Sequence, residues 1–229
     1  MKKILTFVIF YVFFNNDFSY AHVDHYKNIK LLKFNLFYNN KNIGNHTFKF
    51  NLKKNLLYVN SEGSFKINKL GVVLIDYRTV SEEVYSNGKL ISYQSKTTQN
   101  DKKKFVNIKL VKEKKFEING SSFKGLTDAS AIIGSWWNHE IVKNSKQISP
   151  ISGSIKKQIV KFIEAKSVKL NEKNYILHHY KLVSEDSNLP EDKRLDLDIW
   201  LNPENNLIYK ITYERAGKWE YRLKSFEIN

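Results

Sequence analysis

The side chains that could do chemistry are few, and their spacing restricts them further. His178 and His179 are adjacent in an alternating segment. A strand would send them to opposite faces, so they cannot chelate one metal ion together; one is expected in the core and one on the surface. His139-Glu140 lacks the second histidine of a zincin helix. His22, Asp24 and His25 would follow a cleaved leader, where a free amine beside an imidazole suits Cu(II). Chain ends are usually mobile, however, and no metal is expected. Gly153-Ser154 and Gly134-Ser135 lack the second half of a nucleophile elbow, and Gly125 and Gly134 lack the ending of a phosphate loop. Asp196 and Asp198 would share a strand face about 7 Å apart, a separation found in inverting glycosidases. Their alternation with Leu195, Leu197 and Ile199 is equally that of a half-exposed strand. No catalytic residue and no cofactor are therefore assigned.

What the chain has in quantity is aromatic surface: Trp136, Trp137, Trp200 and Trp219, with thirteen tyrosines and fifteen phenylalanines. Rings on this scale pack a core, or line a greasy cavity enclosed by a curved sheet. In the second case Trp136, Trp137 and Ile133 sit on a covering helix, and Phe48, Phe50 and Leu74 form the wall. These six are the candidate ligand-binding residues.

The elements that must position them read as strands. Phe34, Leu36 and Tyr38 alternate with polar neighbours, as do Phe48, Phe50 and Leu52, then Val106, Ile108 and Leu110. Turns are expected at Asn39 to Asn42, Glu62-Gly63, Asn87-Gly88, Asn100 to Lys102 and Asn119-Gly120. Val72 to Ile75 is apolar on both faces, as in a central strand. Six further strands are expected between Ser154 and Phe226. Between Asp128 and Asn144 the spacing of Ile132, Trp136, Trp137 and Ile141 becomes helical, predicting one or two short helices with Asp128 as N-cap. The fold class is mainly β: a curved antiparallel sheet, open barrel or sandwich with these helices packed against it.

Composition narrows the class. With no cysteine there is no disulfide framework, no thiolate nucleophile and no Cys-ligated metal. Lys2-Lys3, the apolar run Ile4 to Phe14 and Ser19-Tyr20-Ala21 have the anatomy of a secretory signal peptide over residues 1–21, cleaved after Ala21. Residues 22–229 then form a single β-rich domain, periplasmic or secreted. The formal charge is +15, and removing Lys2, Lys3 and Asp17 leaves +14. An exported protein with that charge meets anionic membranes or acidic glycans rather than nucleic acid. Lys102 to Lys104 and Lys112 to Lys115, at hairpin tips, could steer it to such head groups.

One succession of residues carries a resemblance. It runs from Phe37-Tyr38 and Ile43-Gly44-Asn45-His46-Thr47-Phe48 to Glu83 near Ser86-Asn87-Gly88-Lys89-Leu90. Trp137-Asn138, Ser152-Gly153, Asp198-Ile199-Trp200-Leu201, Asn205-Asn206-Leu207, Tyr209 and Tyr213 follow. The chain resembles the secreted proteobacterial domain-of-unknown-function family 6134, and is similar in style to family 3108. The resemblance implies a periplasmic β-rich domain over nearly all of residues 22–229, and no activity. Together these readings predict a monomeric, non-enzymatic carrier of an apolar, lipid- or isoprenoid-like envelope molecule. The alternatives are a basic structural protein bound to anionic membrane or glycan surfaces, and a carbohydrate hydrolase.

Overall fold

The computed structural model describes residues 23–112 and 114–229; the expected leader, and His22, lie outside them. Fifteen strands form one sheet among the described residues. They are β1 (Ile29–Tyr38), β2 (Lys41–Lys53), β3 (Leu56–Lys69), β4 (Val72–Ser86), β5 (Lys89–Gln99), β6 (Lys102–Val111), β7 (Lys115–Gly120) and β8 (Lys124–Asp128). A short β9 (Ile132–Ile133) follows, then β10 (Lys146–Ile148), β11 (Ile155–Leu170), β12 (Lys173–Ser184), β13 (Asp196–Asn202), β14 (Leu207–Glu214) and β15 (Lys218–Ile228).

The turns explain why the strands are long and even. Asn39-Asn40, Lys54-Asn55, Leu70-Gly71, Asn87-Gly88, Asn100-Asp101 and Asn171-Glu172 all have positive φ at both residues. That is the type I′ geometry, whose twist matches the strands it joins. Each turn brings the chain straight back beside itself, so β1 to β8 form one antiparallel meander and β10 to β15 another. Antiparallel pairing of β1 with β15 (Phe34 opposite Leu223) joins the two meanders at the centre of the sheet.

The connectivity forces curvature. Strands β8 and β9 lie at opposite ends of the strand order, yet only Ala129 to Ala131 separate them in the chain. A flat sheet of fifteen strands would be about 67 Å wide, whereas four Cα steps reach about 14 Å. The sheet must therefore coil until its edges nearly meet. It forms an open, barrel-like shell whose edges are tethered by a loop instead of a ladder.

Three expectations about turns and helices need correction. Glu62-Gly63 is no turn: it lies inside β3, where Gly63 pairs with His46. A Cβ there would stand 3.0 Å from the His46 ring, so glycine makes room for that ring. Asn119-Gly120 is also in a strand, because a Cβ at Gly120 would come within 2.5 Å of the Ser152 carbonyl as β7 meets the loop before β11. Nor does Asp128 to Asn144 form an α-helix. Its apolar residues reach different neighbours along an extended path through β9, and only His139–Val142 makes a 3-10 turn, capped by the Asn138 side chain accepting from the Glu140 N–H at 3.0 Å.

This path is a plug inside the shell. Ile133, Trp137 and Ile148 join one core cluster with Phe34, Phe48 and Phe50, while Ile132, Ile141 and Val142 pack on β12, β13 and β14 in a second.

Candidate binding cavity

The inward positions of β3 to β5 change character along the strands. Leu57, Val59, Tyr85 and Tyr93 are large and belong to the core. One or two pleats further on, the facing residues are Ser61, Gly63, Thr79, Ser81, Ser95 and Thr97, which pair across the strands in register. Their hydroxyls satisfy one another: Ser61 to Ser81 at 2.7 Å and Thr79 to Thr97 at 2.8 Å. A belt of small side chains cannot fill the space inside the coil, and a cavity of about 960 Å³ lies against it.

Beyond the belt the cavity is ringed by aromatics. Phe65 stacks on Tyr77 with centroids 4.7 Å apart and meets Trp219 edge-on at 5.5 Å; Trp219 stacks on Tyr213 at 5.6 Å. Trp136 closes the arc against Tyr221 at 6.0 Å. Burial raises the pKa of the Tyr77, Tyr213 and Tyr221 hydroxyls, so the rings stay neutral. The His46 ring packs on Phe48 at 4.3 Å, its Nε2 sealed from water without a hydrogen-bond partner. Burial lowers its pKa from 6.5 to about 4, so the imidazole facing this space is uncharged at neutral pH. The lining also carries charge of both signs, Lys156, Arg194 and Arg215 with Glu191, Asp196 and Glu214. Burial, then the nearby Arg215 guanidinium, lowers the Lys156 pKa.

The opposite end of the interior is closed by polar bonds to the plug. Glu83, 1% exposed, accepts from the Trp137 indole N–H at 2.8 Å and from the Tyr85 hydroxyl at 2.6 Å. Burial outweighs these bonds and raises its pKa from 4.5 to about 7. The Tyr26 hydroxyl accepts from the His139 N–H at 3.0 Å and lies 3.1 Å from its Nδ1, while His139 Nε2 meets Glu140 at 2.9 Å. Burial pushes the Glu140 carboxyl up, but the His139 and Lys143 hydrogen bonds and charges hold it at about 2. The Pro150 carbonyl accepts from Tyr93 at 2.9 Å and Ser95 at 2.6 Å. The plug is thus fastened to the wall at several points, in contrast to a loosely hinged lid.

Of the six candidate residues, the structure brings Trp136 and Leu74 to the cavity. Trp137, Ile133, Phe48 and Phe50 are core residues packed at the closed end and do not line it. The tryptophan pair divides because the plug is extended: one ring of Trp136-Trp137 points into the core and its neighbour into the open space. The residues that create the space, Ser61, Gly63, Thr79 and Ser81, are not among the six. Their signal is a run of small residues at alternate positions of three successive strands. His178 and His179 both prove half-buried, neither in the core. His179 stacks on Trp200 at 4.6 Å and meets Asp198 at 2.8 Å. The Lys181 ammonium holds Asp196 at 2.6 Å and Asp198 at 3.0 Å. Among the described residues no group of three or more His, Cys, Asp or Glu is placed to hold a metal ion.

Compared with known families, the chain matches the domain of unknown function DUF6134 over residues 34–224. It belongs to that family. No curated protein matches it. Among solved structures, this DUF6134 chain is similar to a β-barrel-like protein of the domain of unknown function DUF1849 from Brucella abortus. The TM-score is 0.58 at 11% identity, covering 88% of this chain and 98% of the other. At that identity the likeness extends to the fold, the open barrel-like sheet, and no further. The family resemblance seen in the sequence also acquires a physical content here. Glu83 and Trp137, quoted for it, form the central bond of the plug, and Gly153, at φ 78°, completes the turn against Gly120.

Proposed function

We propose that this protein is a non-enzymatic binding protein of the bacterial envelope, exported by its leader, that holds an apolar, lipid- or isoprenoid-like molecule in the shell. The observation that carries this reading is the cavity of about 960 Å³ between the small-residue belt and the aromatic arc. That volume is at the upper end for sites that engulf a small organic ligand. Neutral rings and an uncharged imidazole offer apolar surface, and each Å² of ligand removed from water contributes about 25 cal/mol. The hydroxyl belt has its hydrogen bonds already made, so covering it leaves little unsatisfied. The charged groups of both signs along its lining suit a ligand whose one end is polar.

The test is mass spectrometry of organic extracts from protein purified out of its native envelope. An apolar molecule should co-purify with the wild type and be lost from Ser81→Phe, which fills the belt. Binding should change little with ionic strength, unlike binding to the basic exterior, which would weaken steeply with salt. Repeated absence of any bound molecule, with no uptake of a fluorescent fatty acid by the purified protein, would overturn the reading.

A further inference from the structure

The β3–β4 hairpin shares the backbone geometry of the other hairpins but not their residue type at the tip. Elsewhere the two-residue tips are Asn-Asn, Lys-Asn, Asn-Gly, Asn-Asp, Asn-Glu and Ala-Gly; here the tip is Leu70-Gly71. Leu70 is 95% exposed, and Val72, Val73 and Leu74 are 60%, 48% and 47% exposed. Leu70 also holds φ at 50°, a left-handed conformation that suits Asn or Gly and is unfavourable for leucine. This tip therefore combines two costs, exposure and backbone strain, that an asparagine would avoid. Val72 to Ile75, expected from the sequence to lie in a central strand, is a projecting end.

Both faces of the projecting strand are apolar, since Val72 and Val73 point opposite ways and both are exposed. A protein surface packed on one face would leave the other in water. A fluid apolar phase covers both. The strands behind the tip are basic. Behind it, five residues or about 17 Å along β4, the β5–β6 turn is fastened by the Asn100 side chain, which donates to the Leu74 carbonyl at 2.9 Å and accepts from the Asp76 N–H at 2.7 Å. That turn carries Lys102 and Lys103, exposed, and Lys104; β3 adds Lys66 and Lys69, and β4 adds Arg78. Against these six cations stand Asp76, paired with Lys66 at 3.2 Å and close to Arg78 at 3.6 Å, and Asp101. Ile67, Leu74 and Ile75, three or four residues from the tip of the same hairpin, line the cavity.

We propose that the β3–β4 tip is a membrane-docking device: Leu70, Val72 and Val73 enter the interface of an anionic phospholipid bilayer while Lys69 and the lysines behind the tip meet its head groups, setting the cavity mouth against the lipid. Apolar insertion and head-group attraction together are what interfacial binding requires. This goes beyond ligand storage, because it concerns where the molecule sits, and it holds whether or not the cavity is occupied.

The experiment is vesicle co-sedimentation of the protein, purified as the cell processes it, with phosphatidylglycerol–phosphatidylethanolamine vesicles and with phosphatidylcholine vesicles. The wild type should bind the first far more tightly than the second. Leu70→Asn suits the turn and so preserves the fold; it should weaken binding by about tenfold or more, the loss expected for one large apolar side chain left in water. Lys102→Gln with Lys103→Gln should abolish most of the preference for phosphatidylglycerol. Unchanged binding by Leu70→Asn overturns the proposal. So does failure of the wild type to bind anionic vesicles, including the case in which sedimentation velocity shows the tip joining two copies in a dimer that Leu70→Asn dissociates.

Discussion

The two ends of the shell's interior are built from the same strands and come out opposite. Toward one end β3 and β4 present Leu57, Val59, Tyr85 and Glu83; toward the other they present Ser61, Gly63, Ser81 and Thr79. At the first end the plug inserts Trp137, fully buried, between Tyr26, Phe50 and Tyr85, with ring centroids 4.8, 5.3 and 5.7 Å away. At the second, Trp136 from the same plug meets open space. Curling a sheet into a shell does not by itself decide whether the shell is full. The summed volume of the inward side chains decides it, and that can change within two residues along a strand.

The sharpest way to break the contrast is to hollow the closed end. Trp137→Ala should cost about 3–5 kcal/mol of stability, as truncations of large buried rings do, and would deprive Glu83 of its indole donor. Urea unfolding measures this. A loss below about 1 kcal/mol would mean that the plug is not fixed as described.

Next come the two ionisable groups, one for each end, whose pH effects oppose each other. Glu83 has its folded pKa raised from 4.5 to about 7. Its contribution is therefore fully present below pH 4.5 and is lost as pH rises through about 7. Glu83→Gln should gain on the wild type by up to about 3 kcal/mol across that window. His46 has its folded pKa lowered from 6.5 to about 4, so its contribution is present above pH 6.5 and lost as pH falls through about 4. His46→Phe should thus gain on the wild type toward acid, the reverse of Glu83→Gln. Chemical denaturation of both variants between pH 4 and 7 reads the two slopes, and slopes of equal sign would contradict the placement of one group. The smallest effect belongs to the hairpin tip. Leu70→Asn should raise stability by a few tenths to about 1 kcal/mol by relieving the left-handed leucine, and thermal unfolding would show it.

Much of this architecture was legible in the sequence because it is local. Alternation in Phe48 to Leu52 and Asn-rich pairs such as Asn87-Gly88 set strands and turns directly, and the mainly-β open sheet followed. Glycine was the recurrent source of error. Gly63 and Gly120 accommodate a histidine ring and a distant carbonyl, and no neighbouring residue in sequence announces either contact. The helical spacing of Ile132, Trp136, Trp137 and Ile141 misled for a related reason. In a plug enclosed by the shell every direction is a burial direction, so periodicity loses its meaning. The cavity was expected from the number of aromatics, but its position came from Ser61, Thr79 and Ser81, the residues that contribute least bulk.

The β1·β15 ladder has a consequence for how the chain comes to be folded. Its partners stand far apart in the polypeptide, with Phe34 facing Leu223 and Tyr38 facing Trp219. Each meander can zip from its own local turns, but the seam between them has to await the synthesis of β15, long after that of β1, since loop closure on this scale is slow. Until then both halves expose a bare strand edge, the kind of surface that recruits other chains. A nascent copy is therefore obliged to stay incomplete until β15 has been made, and a truncation that removes β15 should yield aggregates instead of a smaller shell.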